Sequence, residues 1–173
     1  MVSPDGQKVA FARGNGTFLI AGIDTEAGKL VDETVLRNEG WATPSGVTWS
    51  PDSKWLAYSM ENLYFNSEIF VHPADNSQKP VNVSMHPKGD YAPFWSPDGS
   101  KLGFISERNN GDSDLWFAWL KKEDWQKTKE DWEELEDEND NNKKNDKPVS
   151  ITIDTDNMEH KFVGGLYWSE DIN

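Results

Sequence analysis

Short runs in which apolar and polar residues alternate recur through the first 120 positions of the chain. The clearest runs lie at residues 9–12, 56–59 and 102–105, and each is followed by a second apolar run, at residues 18–23, 68–72 and 114–120. Weaker runs lie at residues 33–37 and directly before Trp49 and Trp95. Alternation over a few residues, bounded by Pro, Asp, Asn and Gly, is typical of strands rather than helices. The pattern therefore predicts units of four short antiparallel strands.

A turn motif, Ser-Pro-Asp followed by Gly or Ser, separates these units. Its copies are Ser3, Pro4, Asp5 and Gly6; Ser50, Pro51, Asp52 and Ser53; and Ser96, Pro97, Asp98 and Gly99. The motif is typical of a tight turn, since Pro presets φ, Asp accepts backbone N–H bonds and Gly or Ser tolerates the corner. Successive copies are 47 and 46 residues apart, a spacing typical of β-propeller blades. We predict an all-β chain, a partial β-propeller of about three four-stranded antiparallel blades with a short acidic insertion, part helical and part disordered.

The serine that opens each turn is also a candidate nucleophile. A catalytic serine needs a base, and the histidines, His72, His86 and His160, lie at no recurring distance from the motif. The structural interpretation of the motif is therefore favoured over the catalytic one. The sequence predicts no catalytic residue and no cofactor or metal site.

Tryptophan precedes the turn at the same position in successive units. Trp49 and Trp95 occupy this position, and Trp168 occupies it in a degenerate copy of the motif at residues 168–171. We predict that these three rings pack between blades, where an indole buries a large apolar area, rather than stack on a substrate. Trp41 and Trp55 have no counterpart in the repeat and are expected to be exposed.

An acidic insertion lengthens the third unit, between the blades at residues 1–120 and the return strands and further blade predicted at residues 148–173. Residues 121–147 carry seven Lys and eleven Asp or Glu, a local charge of −4. An apolar stripe predicts a short helix; its members are Trp125, Thr128, Trp132 and Leu135. Residues 137–146 are too polar to pack and are expected to be mobile, and residues 149–153 are expected to return as a strand. The carboxylates lack the spacing of a calcium loop.

Composition and charge narrow the function classes further. With 17 Lys and Arg against 31 Asp and Glu, the net charge of −14 argues against a nucleic-acid partner. The chain has no Cys, which excludes disulfides and cysteine nucleophiles but leaves the cytoplasm and the periplasm both open. No apolar run is long enough to span a membrane, and we expect a soluble chain.

The repeats resemble those shared by the TolB translocation protein and the tricorn protease family. The strings that carry the resemblance are SPDG followed by KVAFAR, WSPDSKWLAYS and WSPDGSKLGFIS. The later segments KKEDWQKTKEDWEELEDEND and ITIDTDNMEHKFVGG are similar to bacterial tricorn-like peptidases, where an acidic insertion precedes an I-D-x-D-x-I-x-x-R strand. Met158 stands at the second apolar position of that strand, and His160 and Lys161 stand near the basic one.

This resemblance implies a propeller region of a large serine peptidase, a hydrolase whose catalytic residues lie outside these 173 residues. The region would serve as a scaffold or as a gate for substrate peptides, with the remaining blades and the peptidase domains as partners, and would have no activity by itself. The alternative is a TolB-like module for protein–protein interaction; a propeller joined to an α/β-hydrolase peptidase would need a G-x-S-x-G elbow, which the chain lacks. Strands unpaired at either end would favour self-association.

Overall fold

The computed structural model describes residues 1–128, 130–131 and 149–155, which form three antiparallel sheets. The elements are β1 (Lys8–Arg13), β2 (Thr17–Asp24), β3 (Lys29–Asn38), β4 (Ser45–Trp49), β5 (Trp55–Glu61), β6 (Ser67–Pro73), β7 (Val81–Asn82), β8 (Asp90–Trp95), β9 (Lys101–Asn109), β10 (Asp112–Trp119) and α1 (Lys122–Trp125). The sheet orders are β1-β2-β3, β4-β5-β6-β7 and β10-β9-β8. Each predicted run over residues 1–120 falls within or overlaps one of these strands. Within the described residues, no helix is long and apolar enough to cross a membrane.

The middle sheet has the four strands that the sequence predicts, whereas each outer sheet has three in the described part of the chain. In the first sheet, an isolated bridge between Val2 and Val9 stands at the position of the missing strand. The strand predicted at residues 149–153 is wrong, because residues 149–155 form no ladder with a neighbour. Instead, the Ile151 N–H donates to Asp52 Oδ2 at 2.9 Å, and the Asp154 N–H donates to Leu120 O at 3.0 Å.

Alternating side chains of β5 contribute to two different cores, so the middle sheet is buried on both faces. Leu56, Tyr58 and Met60 belong to a core shared with the first sheet, whereas Ala57 belongs to a core shared with the third. The first core also contains Ala10, Phe18, Ile20, Leu36, Ala42, Trp49 and Ala74. The second also contains Ile69, Val71, Val83, Leu102, Phe104, Ala118, Leu120, Ile151 and Ile153. Neighbouring sheets thus pack face to face, as blades of a propeller do.

Antiparallel pairing places the two kinds of connection at opposite ends of the sheets. The Ser-Pro-Asp turns lie at one end, here called the turn end, and the loops at residues 14–16, 62–66 and 110–111 lie at the other, here called the loop end. At the turn end, the Asp5 N–H donates to Ser53 Oγ at 3.1 Å and joins the first two blades. The same end of each blade therefore faces the same side of the molecule.

The predicted acidic insertion is described only at its beginning. Helix α1 forms a single turn at Lys122–Trp125, next to the end of β10. Trp132, Leu135 and residues 137–146 lie outside the described residues, as do Trp168 and most of the predicted segment at residues 148–173. The helix and the mobile tip predicted there therefore stay predictions beyond the first turn.

Candidate functional site

The three Ser-Pro-Asp turns share one hydrogen-bond geometry. In each, the serine hydroxyl donates to the aspartate two residues later and accepts the backbone N–H five residues later. The Oγ–Oδ1 distances are 2.6 Å for Ser3 and Asp5, 2.7 Å for Ser50 and Asp52, and 2.6 Å for Ser96 and Asp98. The N–Oγ distances are 2.9 Å for Lys8, Trp55 and Lys101. Each hydroxyl is thus committed to closing its own turn.

The electrostatics of the turns also support a structural role. The Ser3 hydroxyl and the Gln7 N–H lower the pKa of Asp5. Burial opposes the same effect at Asp98, but hydrogen bonds from Ser96 and Ser100 still lower the pKa of that carboxyl. A carboxylate with a lowered pKa is a weak base, so it accepts a hydrogen bond from the serine hydroxyl without removing the proton. In the described part of the chain, neither His72 nor His86 hydrogen-bonds to a motif serine.

The motif tryptophans reach back to the preceding blade. Trp49 is buried in the first core, and its Nε1–H donates to Met1 O at 3.1 Å. Trp95 packs against the second core, and its Nε1–H donates to Thr48 O at 3.5 Å. Met1 lies 48 residues before Trp49, and Thr48 lies 47 residues before Trp95, so the bond recurs with about the period of the repeat. Trp49 and Trp95 thus contact the preceding blade through the same bond, and Trp168 lies outside the described residues.

The two tryptophans without counterparts in the repeat behave differently from each other. Trp41 is 44% exposed, as expected. The prediction for Trp55 is wrong, because this ring is half-buried and packs against the second core. Its position at the first residue of β5, opposite Pro73 of β6, places it over the sheet rather than in solvent.

A buried ion pair of the third blade contacts the middle blade at the loop end. Arg108 Nη2 lies 3.2 Å from Asp90 Oδ1 and 3.2 Å from the carbonyl oxygen of Ser84, in the neighbouring blade. The Arg108 Nε–H donates to Ser106 Oγ at 2.7 Å, and the guanidinium carbon lies 4.9 Å from the centre of the Trp116 ring. Asp90 is fully buried. The sequence alone does not predict this pair, because Asp90 and Arg108 come together only when β8 pairs with β9.

A second buried carboxylate, Glu68, lies at the same boundary between blades. It accepts the Ser84 hydroxyl at 2.9 Å, the Asn62 side-chain amide at 3.2 Å and the His86 N–H at 3.4 Å. The sequence signal for this site is Glu68 itself, a charged residue within the apolar run at residues 68–72. Because a carboxylate is rarely buried without partners, its place in that run indicates a buried polar site. Within the described residues, no group of three or more His, Cys, Asp or Glu could hold a metal ion.

An exposed cluster of apolar side chains lies beside this boundary at the loop end. We call it the apolar rim; it consists of Trp41, Leu63, Tyr64 and Phe65. Leu63, Tyr64 and Phe65 follow one another at the tip of the β5–β6 loop, and the Phe65 ring meets the Trp41 ring edge to face with centres 6.4 Å apart. The loop end thus combines a buried polar boundary with a protruding apolar surface.

An open cleft of about 630 Å3 lies at the turn end, between the β6–β7 connection and residues 151–155. Lys8, Lys54 and Asp75 line the cleft together with residues 151–153 and Thr155. Because Asp52 holds Ile151 in place, one wall of the cleft depends on a contact of the turn motif.

Part of the chain is similar in sequence to known proteins. No family model matches the chain. Over 108 residues, or 62% of its length, the chain is 29% identical to a protein of Sulfurisphaera tokodaii described as a tricorn-like protease C-terminal subunit. Over the same share it is 32% identical to "Tricorn protease homolog 1" of Streptomyces coelicolor. The chain carries tricorn-like propeller repeats.

A solved structure is similar to the chain at the level of the fold. The crystal structure of the tricorn protease aligns with 69% of the chain at a TM-score of 0.55 and 21% sequence identity. The tricorn-like region spans only 12% and 10% of the length of the two curated relatives, and 13% of the tricorn protease chain. The three sheets are blades of a β-propeller, as the repeat predicts.

His72 should make the stability of the tricorn-like region depend on pH. Its ring is fully buried, Nε2 lies 3.0 Å from Asn76 Oδ1, and Nδ1 lies 3.5 Å from the Tyr58 hydroxyl. Burial, assisted by the nearby Arg37 charge, holds the pKa of His72 below its ordinary value of 6.5. As the pH falls through 6.5, His72 binds a proton in the unfolded chain but stays neutral in the folded chain, so the free energy of unfolding should fall.

Urea unfolding at several values between about pH 7 and about pH 5.5 measures this effect, in a window where His is the side chain that titrates at its ordinary pKa. The variant His72→Gln cannot take up the proton, and we expect its stability to vary less with pH than that of the wild type. His86, whose pKa burial and Arg108 also lower, accounts for a slope that remains. Equal slopes in the wild type and the variant would contradict the assignment to His72.

Proposed function

We propose that this tricorn-like region is a non-catalytic part of a larger serine peptidase. It serves as a scaffold or as a gate that admits unfolded peptides to a proteolytic domain outside these 173 residues. The observation that carries the proposal is the combination of tricorn-like repeats with serines that are committed to turns. Ser50 is fully buried and Ser3 nearly so, which leaves no room for a substrate carbonyl at either hydroxyl.

The partners follow from the same proposal. The region matches a small share of its curated relatives, so the remaining blades and the peptidase domains of a longer chain are the proposed neighbours. Peptide substrates would be a second class of partner. The net charge of −14 creates a negative field that favours basic peptides over acidic ones.

Peptidase assays on the purified 173-residue chain and on its full-length parent test the proposal. The substrates are unfolded casein and short fluorogenic peptides. We expect the parent to cleave both and the 173-residue chain to cleave neither. Removing the region from the parent should slow casein cleavage more than cleavage of the short peptides, because only a long chain needs guiding to the proteolytic domain.

Two outcomes would contradict the proposal. Activity of the 173-residue chain that is lost in the variants Ser3→Ala, Ser50→Ala or Ser96→Ala would make a motif serine a nucleophile. Inactivity of both proteins would remove the peptidase and favour the TolB-like interaction module. Circular dichroism of each variant shows whether an activity loss reflects unfolding.

A further inference from the structure

The apolar rim exposes more apolar surface than its place on a soluble blade requires. Leu63, Tyr64 and Phe65 are 79%, 83% and 78% exposed, although they follow one another in the chain. Single exposed apolar side chains are common, but a contiguous cluster marks a site of interaction. Trp41 extends the cluster from a second connection, so the rim is formed by two separate segments of the fold.

The loop that carries the rim is held rigidly. The Asn62 side-chain oxygen accepts the N–H groups of Tyr64 at 2.8 Å and Asn66 at 3.2 Å, and the Phe65 N–H donates to the Asn62 carbonyl at 3.0 Å. The Asn62 side-chain amide in turn donates to buried Glu68. Phe65 has a φ of +60°, which is rare for a bulky residue and is maintained by these bonds. A preorganised apolar tip loses little conformational entropy when a partner binds.

The surroundings of the rim are acidic. Glu61, the last residue of β5, is exposed directly before the loop, and buried Glu68 accepts a hydrogen bond from Asn62 in the loop. The guanidinium of Arg37 pairs with Glu39 and that of Arg108 pairs with Asp90, whereas the net charge of the whole chain is −14. A partner that brings apolar groups to the rim should therefore also bring positive charge.

We propose that the apolar rim docks a polypeptide segment with an aliphatic or aromatic anchor beside lysine or arginine. The inference rests on the proposed function, since it names the surface on which a peptide-handling propeller would hold its peptide. Leu63, Tyr64 and Trp41 would contact the anchor, and the exposed carboxylate of Glu61 would attract a flanking cation. A second copy of this chain fits poorly, because it would bring the same carboxylate against itself.

Fluorescence anisotropy of labelled peptides with the 173-residue chain, at low ionic strength, tests the proposal. The probe is a short peptide with a Leu-Phe pair between two pairs of lysines, and the matched peptide replaces the lysines with glutamates. The rim variant combines Leu63→Ser, Tyr64→Ser and Phe65→Asn, since Asn tolerates the left-handed backbone at this position. The control Leu30→Ser alters an exposed leucine of β3, away from the rim.

We expect the wild type and Leu30→Ser to bind the lysine peptide equally. The rim variant and the glutamate peptide should each weaken binding by about tenfold or more, as the loss of a central anchor does at other interfaces. Trp41→Ala should weaken it less. We expect every variant to unfold at the same temperature as the wild type, because the altered side chains are exposed. A loss of peptide binding without a change in this temperature then reflects the altered surface rather than unfolding.

Equal binding by the wild type and the rim variant would overturn the proposal, and so would a wild type that binds neither peptide. A wild-type dimer that the rim variant abolishes, measured by light scattering, would make a second copy the occupant and would also overturn it. The assay needs no peptidase activity. A parent enzyme that still requires the region for casein cleavage would therefore leave the proposed function intact while the rim proposal fails.

Discussion

Replacing Arg108 with alanine will lower the free energy of unfolding by about 3–5 kcal/mol, the usual cost of leaving a buried charge without its partner. Asp90 is fully buried, its Oδ1 lies 3.2 Å from the guanidinium, and its Oδ2 has no hydrogen-bond partner among the described residues. Without Arg108, the Asp90 carboxylate would be buried without a cationic partner. The Ser84 carbonyl would lose its donor as well.

Urea unfolding followed by tryptophan fluorescence measures this loss. The matched control is Arg13→Ala, which removes an arginine that makes two hydrogen bonds to Glu33 on the exposed surface of the first blade. Because water already solvates both of those groups, we expect the control to change stability little. The double variant Asp90→Leu with Arg108→Met should recover most of the loss, since apolar groups of similar size need no partners. An Arg108→Ala variant as stable as Arg13→Ala would contradict the account.

Replacing Trp49 with alanine will also cost about 3–5 kcal/mol, the range for large aromatic side chains removed from a core. The ring is 6% exposed and lies among the residues of the first core, between the first and middle blades. The substitution would open a cavity there and remove the bond from Nε1–H to Met1 O. Trp49→Phe keeps most of the ring and loses that bond, so its cost should be smaller.

The same unfolding assay distinguishes packing from a surface role. Trp41→Ala is the matched control, since Trp41 is 44% exposed and lies in the apolar rim. We expect a small change in stability for Trp41→Ala and the large one for Trp49→Ala. If Trp49 instead stacked on a substrate, its removal would impair peptide binding and leave stability near that of the control.

The motif tryptophans and the pair of Asp90 and Arg108 have different consequences for the proposed gate. The motif tryptophans and turns recur from blade to blade, so they stabilise each boundary in the same way. Within the described residues, the pair of Asp90 and Arg108 lies at the boundary between the middle and third blades, beside the Glu68 network that supports the apolar rim. A change at this boundary should therefore reach the rim through Ser84, which contacts both Arg108 and Glu68.

Much of the fold follows from the sequence because its signals act over a few residues. Alternation placed β1, β5 and β9, and the Ser-Pro-Asp turns could be read from residue chemistry alone. The repeat distance then indicated a propeller, since each four-stranded unit must bury its faces against neighbours. The prediction at residues 149–153 failed because apolar alternation shows which side chains are buried, and Ile151 and Ile153 are, but not whether a neighbouring backbone is free to pair.

By itself, the sequence determined most of the strands of this protein, its turns, its period and its family resemblance. The tertiary structure decided which charges are paired and which aromatic rings face water. Asp90 and Arg108 lie 18 residues apart and meet only through the pairing of β8 with β9, and Ser84 joins them from another blade. Trp41 and Trp55 both lack a counterpart in the repeat, yet the first is exposed in the rim and the second packs half-buried against the second core. Such outcomes depend on contacts between distant segments, which no local pattern records.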